Sequence, residues 1–228
     1  MRGAKKKHEE RNRWSGAESS LCMQRLKNGK RRQVPHRKRA KFGGSALIVT
    51  VHQLDGLPSL RTQQVMGVFQ KALAIAKDRF GCRVLQFTLL GNHVHFMVEA
   101  PDEKELGRAM KGLLVRLAKA LNKLWGRKGH VFERRFHSVV VSTMRQVHRA
   151  LRYVLLNARK HGIRIPFGQP DPFSSGPWFK DWRGRRQAFR TDESPVALPR
   201  ISIMVELVCL NMPVGLDDQP GASLECAG

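Results

Sequence analysis

Between residues 46 and 161 the chain switches repeatedly between strand-like and helix-like spacing of its apolar positions. "ALIVTVH" (46–52) reads as a strand, closed by the turn "DGLPS". From Thr62 to Phe80 the apolar residues Val65, Phe69, Leu73 and Ala76 recur at helical spacing, and Gly81 is the expected stop. "CRVLQFTLL" (82–90) is a second strand; Gly91-Asn92 makes a tight turn and "HVHFMVEA" (93–100) returns as a third. Asp102 with Glu105 opens a second helix. Its apolar stripe is Leu106, Met110, Leu113, Leu114, Leu117, Leu121 and Leu124, and its other side carries Arg108, Lys111, Arg116, Lys119 and Lys123. "GHVFERRFHSVVVS" (129–142) reads as a fourth extended segment, and Thr143 with Gln146 opens a last helix ending near His161-Gly162. The order β-α-β-β-α-β-α predicts an α+β fold with helices on one face of an antiparallel sheet, and a ferredoxin-like split βαβ arrangement fits it.

Charge changes this picture at both ends. Residues 1–42 hold 15 Lys and Arg against 3 acidic residues, which reads as a disordered, phosphate-binding arm. Residues 43–165 form the expected domain and 166–228 an irregular C-terminal extension, of which 201–228 has no Lys or Arg. With 42 Lys and Arg against 18 Asp and Glu, the net charge of +24 calls for a polyanionic partner, nucleic acid first. No apolar signal-peptide core follows the opening charges, and no apolar run could span a bilayer. A cytoplasmic protein without a membrane partner is the expectation. Cys22, Cys82, Cys209 and Cys226 have no CxxC spacing and read as reduced thiols.

Two features of this basic chain suggest chemistry. On a strand, His93 and His95 project from one face with Met97 and Glu99, ~6.5–7 Å apart at the backbone, while Val94, Phe96 and Val98 should be the buried face. Two neutral imidazoles can hold an ion and leave positions open for substrate oxygens. Paired, solvated histidines are the ordinary alternative, and His52, His130, His137, His148 and His161 show how freely the chain uses this residue. The single tyrosine, Tyr153, lies off the stripe Val147, Leu151, Val154, Leu155 and Ala158, with Asn157 one turn later. A phenol can attack a phosphodiester if neighbouring cations or a metal stabilise the phenolate, whose unperturbed pKa is ~10. Such a link conserves the energy of the broken bond, which suits strand transfer. Arg134, Arg135, Arg149, Arg152 and Lys160 cluster around this position in sequence and are candidates for DNA phosphate contact.

"HVH" after a turn, then "VFERRFHSVVV" and "VHRALRYVLLNARKHG", resemble the motif segments of single-tyrosine HUH transposases. The likeness extends to "VPHRKRAKF" and "LDGLPSLR" and points to the REP-associated tyrosine transposases and their insertion-sequence relatives. The resemblance implies a ferredoxin-like domain with the HUH pair on a central strand and the tyrosine on a later helix. It implies His93 and His95 as metal ligands, Asn157 as the third, Tyr153 as the nucleophile that joins a DNA 5′ end, and Mg²⁺ or Mn²⁺ as the ion. It further implies hairpin-bearing single-stranded DNA as substrate, a bacterial, nucleoid-associated location, and a homodimer as an option. Gly91 stands where the family usually has proline before the turn, and the acidic 201–228 tail replaces a basic, tryptophan-containing ending. That departure keeps a second reading open, a domesticated or decayed relative that binds hairpin DNA without cutting it. An RNA-binding ferredoxin-like protein would instead want surface aromatics on its central strands.

Overall fold

A computed structural model describes residues 42–133, 135–184, 190, 192–200, 213–216 and 218. The expected arm therefore lies outside the described residues save for Phe42, as do Arg134, Cys22, Cys209, Cys226 and most of 201–228. The elements are β1 (Ser45–His52), α1 (Gln63–Ala76), β2 (Asp78–Arg79), β3 (Cys82–Leu89), β4 (His93–Ala100), α2 (Glu103–Leu124), β5 (His137–Val141), α3 (Met144–Lys160), β6 (Trp182–Arg183) and β7 (Val214–Gly215). The main sheet has the order β2-β3-β4-β1-β5, antiparallel throughout, and β6 and β7 form a separate parallel pair. This is the expected α+β fold, with the His-Val-His strand β4 in the centre.

One helix departs from the expectation. Leu47, Val49, Val51, Val94, Phe96 and Val98 pack with the apolar stripes of α1 and α2. The opposite sheet residues Ala46, Ile48, Leu85 and Met97 pack instead with α3. The helices therefore lie on both faces. That is why the histidine face of β4, expected to be open, is covered: His95 is 3% exposed, Met97 0% and Glu99 2%. The Glu99 carboxylate accepts the Arg200 backbone N–H.

Two boundaries shift for local reasons. The first helix ends at Ala76 rather than Phe80. Phe80 and Gly81 both take positive φ (55° and 70°), forming the two-residue turn of a hairpin that pairs Asp78 with Arg83 and Arg79 with Cys82. The fourth extended segment shrinks to β5, with Phe132 adding only a single bridge to Gln53. Cys82 is free and buried, and burial pushes its thiol up to about 12, so it is an inert core residue.

Both long helices start as the sequence specifies. Asp102 accepts the backbone N–H groups of Lys104 and Glu105. Thr143 and Gln146 form a reciprocal capping box on α3. Replacing Thr143 with Ala should cost ~1 kcal/mol, seen as a lower urea midpoint at constant slope. An unchanged midpoint would mean that packing alone sets the start of α3. Among the described residues no helix is long and apolar enough to cross a membrane.

The segment after α3 returns to the sheet. Ser174 bridges Thr88, and the Ser175 hydroxyl accepts the Phe87 N–H while donating to Gln86 Oε1 at 2.5 Å. Phe179, Trp182, Val214 and Leu216 enter the core under α3. Trp125, Phe136 and Trp178 pack against the other core.

Candidate active site

The covered face of β4 meets α3 at its His93 end. In the sheet register Thr50 of β1 lies opposite His95, and His52 opposite His93. Each pair therefore points to the same side. Thr50 Oγ1 is 2.8 Å from His95 Nδ1. With the hydroxyl accepting from Nδ1–H, the lone pair of Nε2 is left facing α3. There Tyr153 Oη lies 3.5 Å away, with its ring edge-on to the imidazole at 5.1 Å. Lys160, two turns further along the same face of α3, puts Nζ 5.1 Å from the centre of the tyrosine ring. On the outer side His93 Nδ1 sits 2.8 Å from Asn92 Oδ1.

Two further histidines join this group. His52 stacks on His93 with ring centres 5.0 Å apart, and His161, the C-cap of α3, contacts His93 at 5.3 Å. Sequence reasoning had counted both as background. His52 was recoverable from the β1–β4 pairing, whereas His161 needed the placement of α3. Burial, then repulsion from His52 and His161, pulls His93 down to about 4. Burial, then repulsion from His93, His161, His52 and Lys160, pulls His95 down to about 3. Both rings are thus neutral at pH 7, the form that ligates metals.

The turn carrying His93 is braced from a distance. Arg61 grips Asp171 with both terminal nitrogens (2.8 and 2.9 Å) and donates to the Leu89 carbonyl at 2.8 Å. Its guanidinium lies over Phe173, 4.6 Å from the ring centre. The Leu60 N–H holds the Gly91 carbonyl, and the Leu90 N–H holds that of His93. Asp171 is 4% exposed, so this bidentate pair is fixed in geometry rather than solvated.

The remaining candidates separate. Asn157 is completely buried on α3, and neither of its amide atoms has a hydrogen-bond partner among the described residues. Such a group is costly unless something ligates it. Among the described residues no three His, Cys, Asp or Glu side chains are grouped to hold a metal. A site built on the His93–His95 pair would need an oxygen of another kind; Asn157 lies one turn after Tyr153 on α3. Two imidazoles and an amide oxygen suit a divalent ion that keeps water and phosphate oxygens. Arg135 and Arg149 are exposed. Arg152 is half-buried, with its Nε 3.6 Å from Asp218.

Residues 58–156 match the family model described as "Transposase IS200 like". That span holds His93, His95 and Tyr153 and ends one residue before Asn157. The fold is similar to a solved REP-associated tyrosine transposase bound to a REP hairpin, with TM-score 0.50 and 18% identity over 62% of this chain and 82% of the other. A structure from Deinococcus radiodurans titled as a transposase matches at TM-score 0.38 and 10% identity, over 57% and 99% of the two chains, too distant to carry an argument. No curated protein matches the chain. The sheet order, the family match and the likeness of fold agree: over residues 58–156 this chain is similar to the IS200-like transposases.

Proposed function

We propose that this protein cleaves and rejoins single-stranded, hairpin-bearing DNA through a 5′-phosphotyrosine intermediate on Tyr153. The observation that carries this reading is the Tyr153 phenol at 3.5 Å from a neutral His95 Nε2, under the Lys160 ammonium. In the cleavage step Tyr153 Oη forms the new bond to phosphorus and the bond to O3′ breaks. The phenol gives up one proton and the departing O3′ takes up one, so the strand ends in a 3′-hydroxyl. A 3′-hydroxyl attacking the phosphotyrosine reverses the step and needs no external energy source. Lys160 over the ring favours the phenolate. His93, His95 and Asn157 would hold Mg²⁺ or Mn²⁺, which, when bound, would polarise the scissile phosphate and offset the developing charge. Arg135, Arg149 and Arg152, with Arg134, are proposed to meet the DNA backbone, Arg152 once it leaves Asp218. A solved relative in fold is itself bound to a REP hairpin, which supports hairpin DNA as substrate.

The test is covalent trapping. The protein is mixed with labelled single-stranded hairpin DNA from its own genomic flanks and run on a denaturing gel with Mn²⁺ or with chelator. A metal-dependent covalent band supports the proposal. A salt-sensitive complex without that band would leave a protein that binds hairpin DNA without cutting it.

Thr50 gives a second check. Thr50→Val removes the hydroxyl that fixes the His95 tautomer and keeps the side chain's shape. Losing such a partner typically costs ~10–100-fold in metal affinity. Calorimetric titration of Mn²⁺ into both proteins should show that drop, and equal affinities would strip Thr50 of this role.

A further inference from the structure

His52 has no part in the proposed chemistry, yet it stands at the rim of the site. The β1–β4 register sets it opposite His93. The backbone around it is held on both sides: the Gln53 N–H donates to the Asn92 carbonyl and the Glu133 N–H to the His52 carbonyl, each at 2.9 Å. The His52 and His93 rings are stacked, 24° from parallel with centres 5.0 Å apart. His161, by contrast, meets His93 edge to face at 70°. His93 is half-buried and His52 is exposed. The stack covers one face of the His52 ring, and the exposure of the residue falls on the rest.

Two flat rings in a near-parallel stack, with the outer one exposed, are the start of a column. An unpaired nucleobase can extend it, because every base has a π-face and histidine is one of the side chains on which bases stack. Strand pairing and the His93 contact already order the His52 ring, so little freedom is left to lose when a base arrives. Position says which base. Tyr153, His95, His93 and His52 follow one another with ring centres 5.1, 4.9 and 5.0 Å apart. An in-line displacement sends the leaving oxygen to the side of phosphorus away from the attacking group. Tyr153 stands at the His95 end, so O3′ departs toward the His93–His52 end. We propose that His52 is a base-binding residue that stacks the nucleobase immediately 5′ of the cleavage point, on the nucleotide that ends in O3′. This rests on the reading of Tyr153 as the group that cuts single-stranded DNA. The stack keeps the freed 3′-hydroxyl beside the phosphotyrosine, where it can reseal the strand.

The experiment uses full-length protein and the labelled hairpin DNA from its own genomic flanks, with the cleavage point mapped on wild type. Wild type, His52→Ala and His52→Phe are compared by the DNA concentration that gives half-maximal covalent adduct. Each is measured on the intact strand and on a strand made abasic at the nucleotide 5′ of the cleavage point. On the intact strand His52→Ala should raise that concentration by ~10-fold, and His52→Phe, which can stack but cannot ligate a metal, should recover most of the loss. On the abasic strand the three proteins should agree within about twofold, because the partner of the ring is gone. A His52→Ala protein equal to wild type on the intact strand, an equal loss on both strands, or a Phe variant as poor as Ala would each overturn the inference while leaving the phosphotyrosine reading in place. Absence of adduct with wild type on the intact strand would remove that reading and this inference with it.

Discussion

Tyr153→Phe should abolish the covalent adduct with single-stranded hairpin DNA while leaving hairpin affinity within about twofold. The substitution removes one oxygen, and no other tyrosine exists in the chain to take its place. The ring would still pack edge-on to His95 and beneath Lys160, so the fold has no reason to change. Loss of a nucleophile that forms the covalent intermediate typically lowers the rate by ~10³-fold or more, because only binding and positioning remain. The comparison needs two gels, one denaturing for the adduct and one native for affinity. A Tyr153→Phe protein that still forms the adduct would move the nucleophile elsewhere and end the phosphotyrosine proposal.

Acid should unfold the protein earlier than its basic composition alone suggests. His93 is held near 4 and His95 near 3, chiefly by burial and then by neighbouring positive charge. In the unfolded chain both titrate near ~6.5. A base whose pKa is lower when folded takes up its proton more readily when unfolded. Stability is therefore whole above about pH 6.5 and falls as pH drops toward the folded values. The slope for each ring approaches ~1.4 kcal/mol per pH unit below its unfolded pKa, so from pH 6.5 to 5 the pair should cost roughly 3 kcal/mol. The two rings are in contact and titrate as a unit, so the loss belongs to the pair. Urea unfolding at several pH values would show it, and a His93→Asn, His95→Asn variant should have a flatter profile. A wild-type profile that is level between pH 6.5 and 5 would mean that these rings charge freely in the folded protein.

Strands β3 and β4 were legible near the turn, where alternation and Gly91-Asn92 set the register; the irregularity between Val84 and Gln86, which shifts it further along, has no local signal. The starts of α2 and α3 were legible because Asp102 and Thr143 are local signals. What local pattern cannot carry is which side of the sheet a helix takes. α3 crosses to the face that α1 and α2 leave bare, and so His95, expected at the surface, became one of the most buried polar residues. The end of α1 was misjudged because Phe80 adopts a positive φ that is rare outside glycine and asparagine. His93, His95 and Tyr153 could be picked out by residue type and spacing. Their neighbours His52, Thr50 and His161 depend on register and on tertiary packing, and the Arg61–Asp171 pair joins residues 110 positions apart.

That long-range pair sets an order of events. Arg61 and the His93 turn are translated well before Asp171, and Asp171 follows Tyr153 and Asn157 in the chain. A nascent chain that has emerged only as far as His161 carries every residue of the motif, yet the arginine that steadies the His93 turn has no carboxylate to grip. Residues 171–175 follow the whole motif in the chain, so Arg61 can grip its carboxylate and steady the His93 turn only once the chain beyond Asn157 has been made.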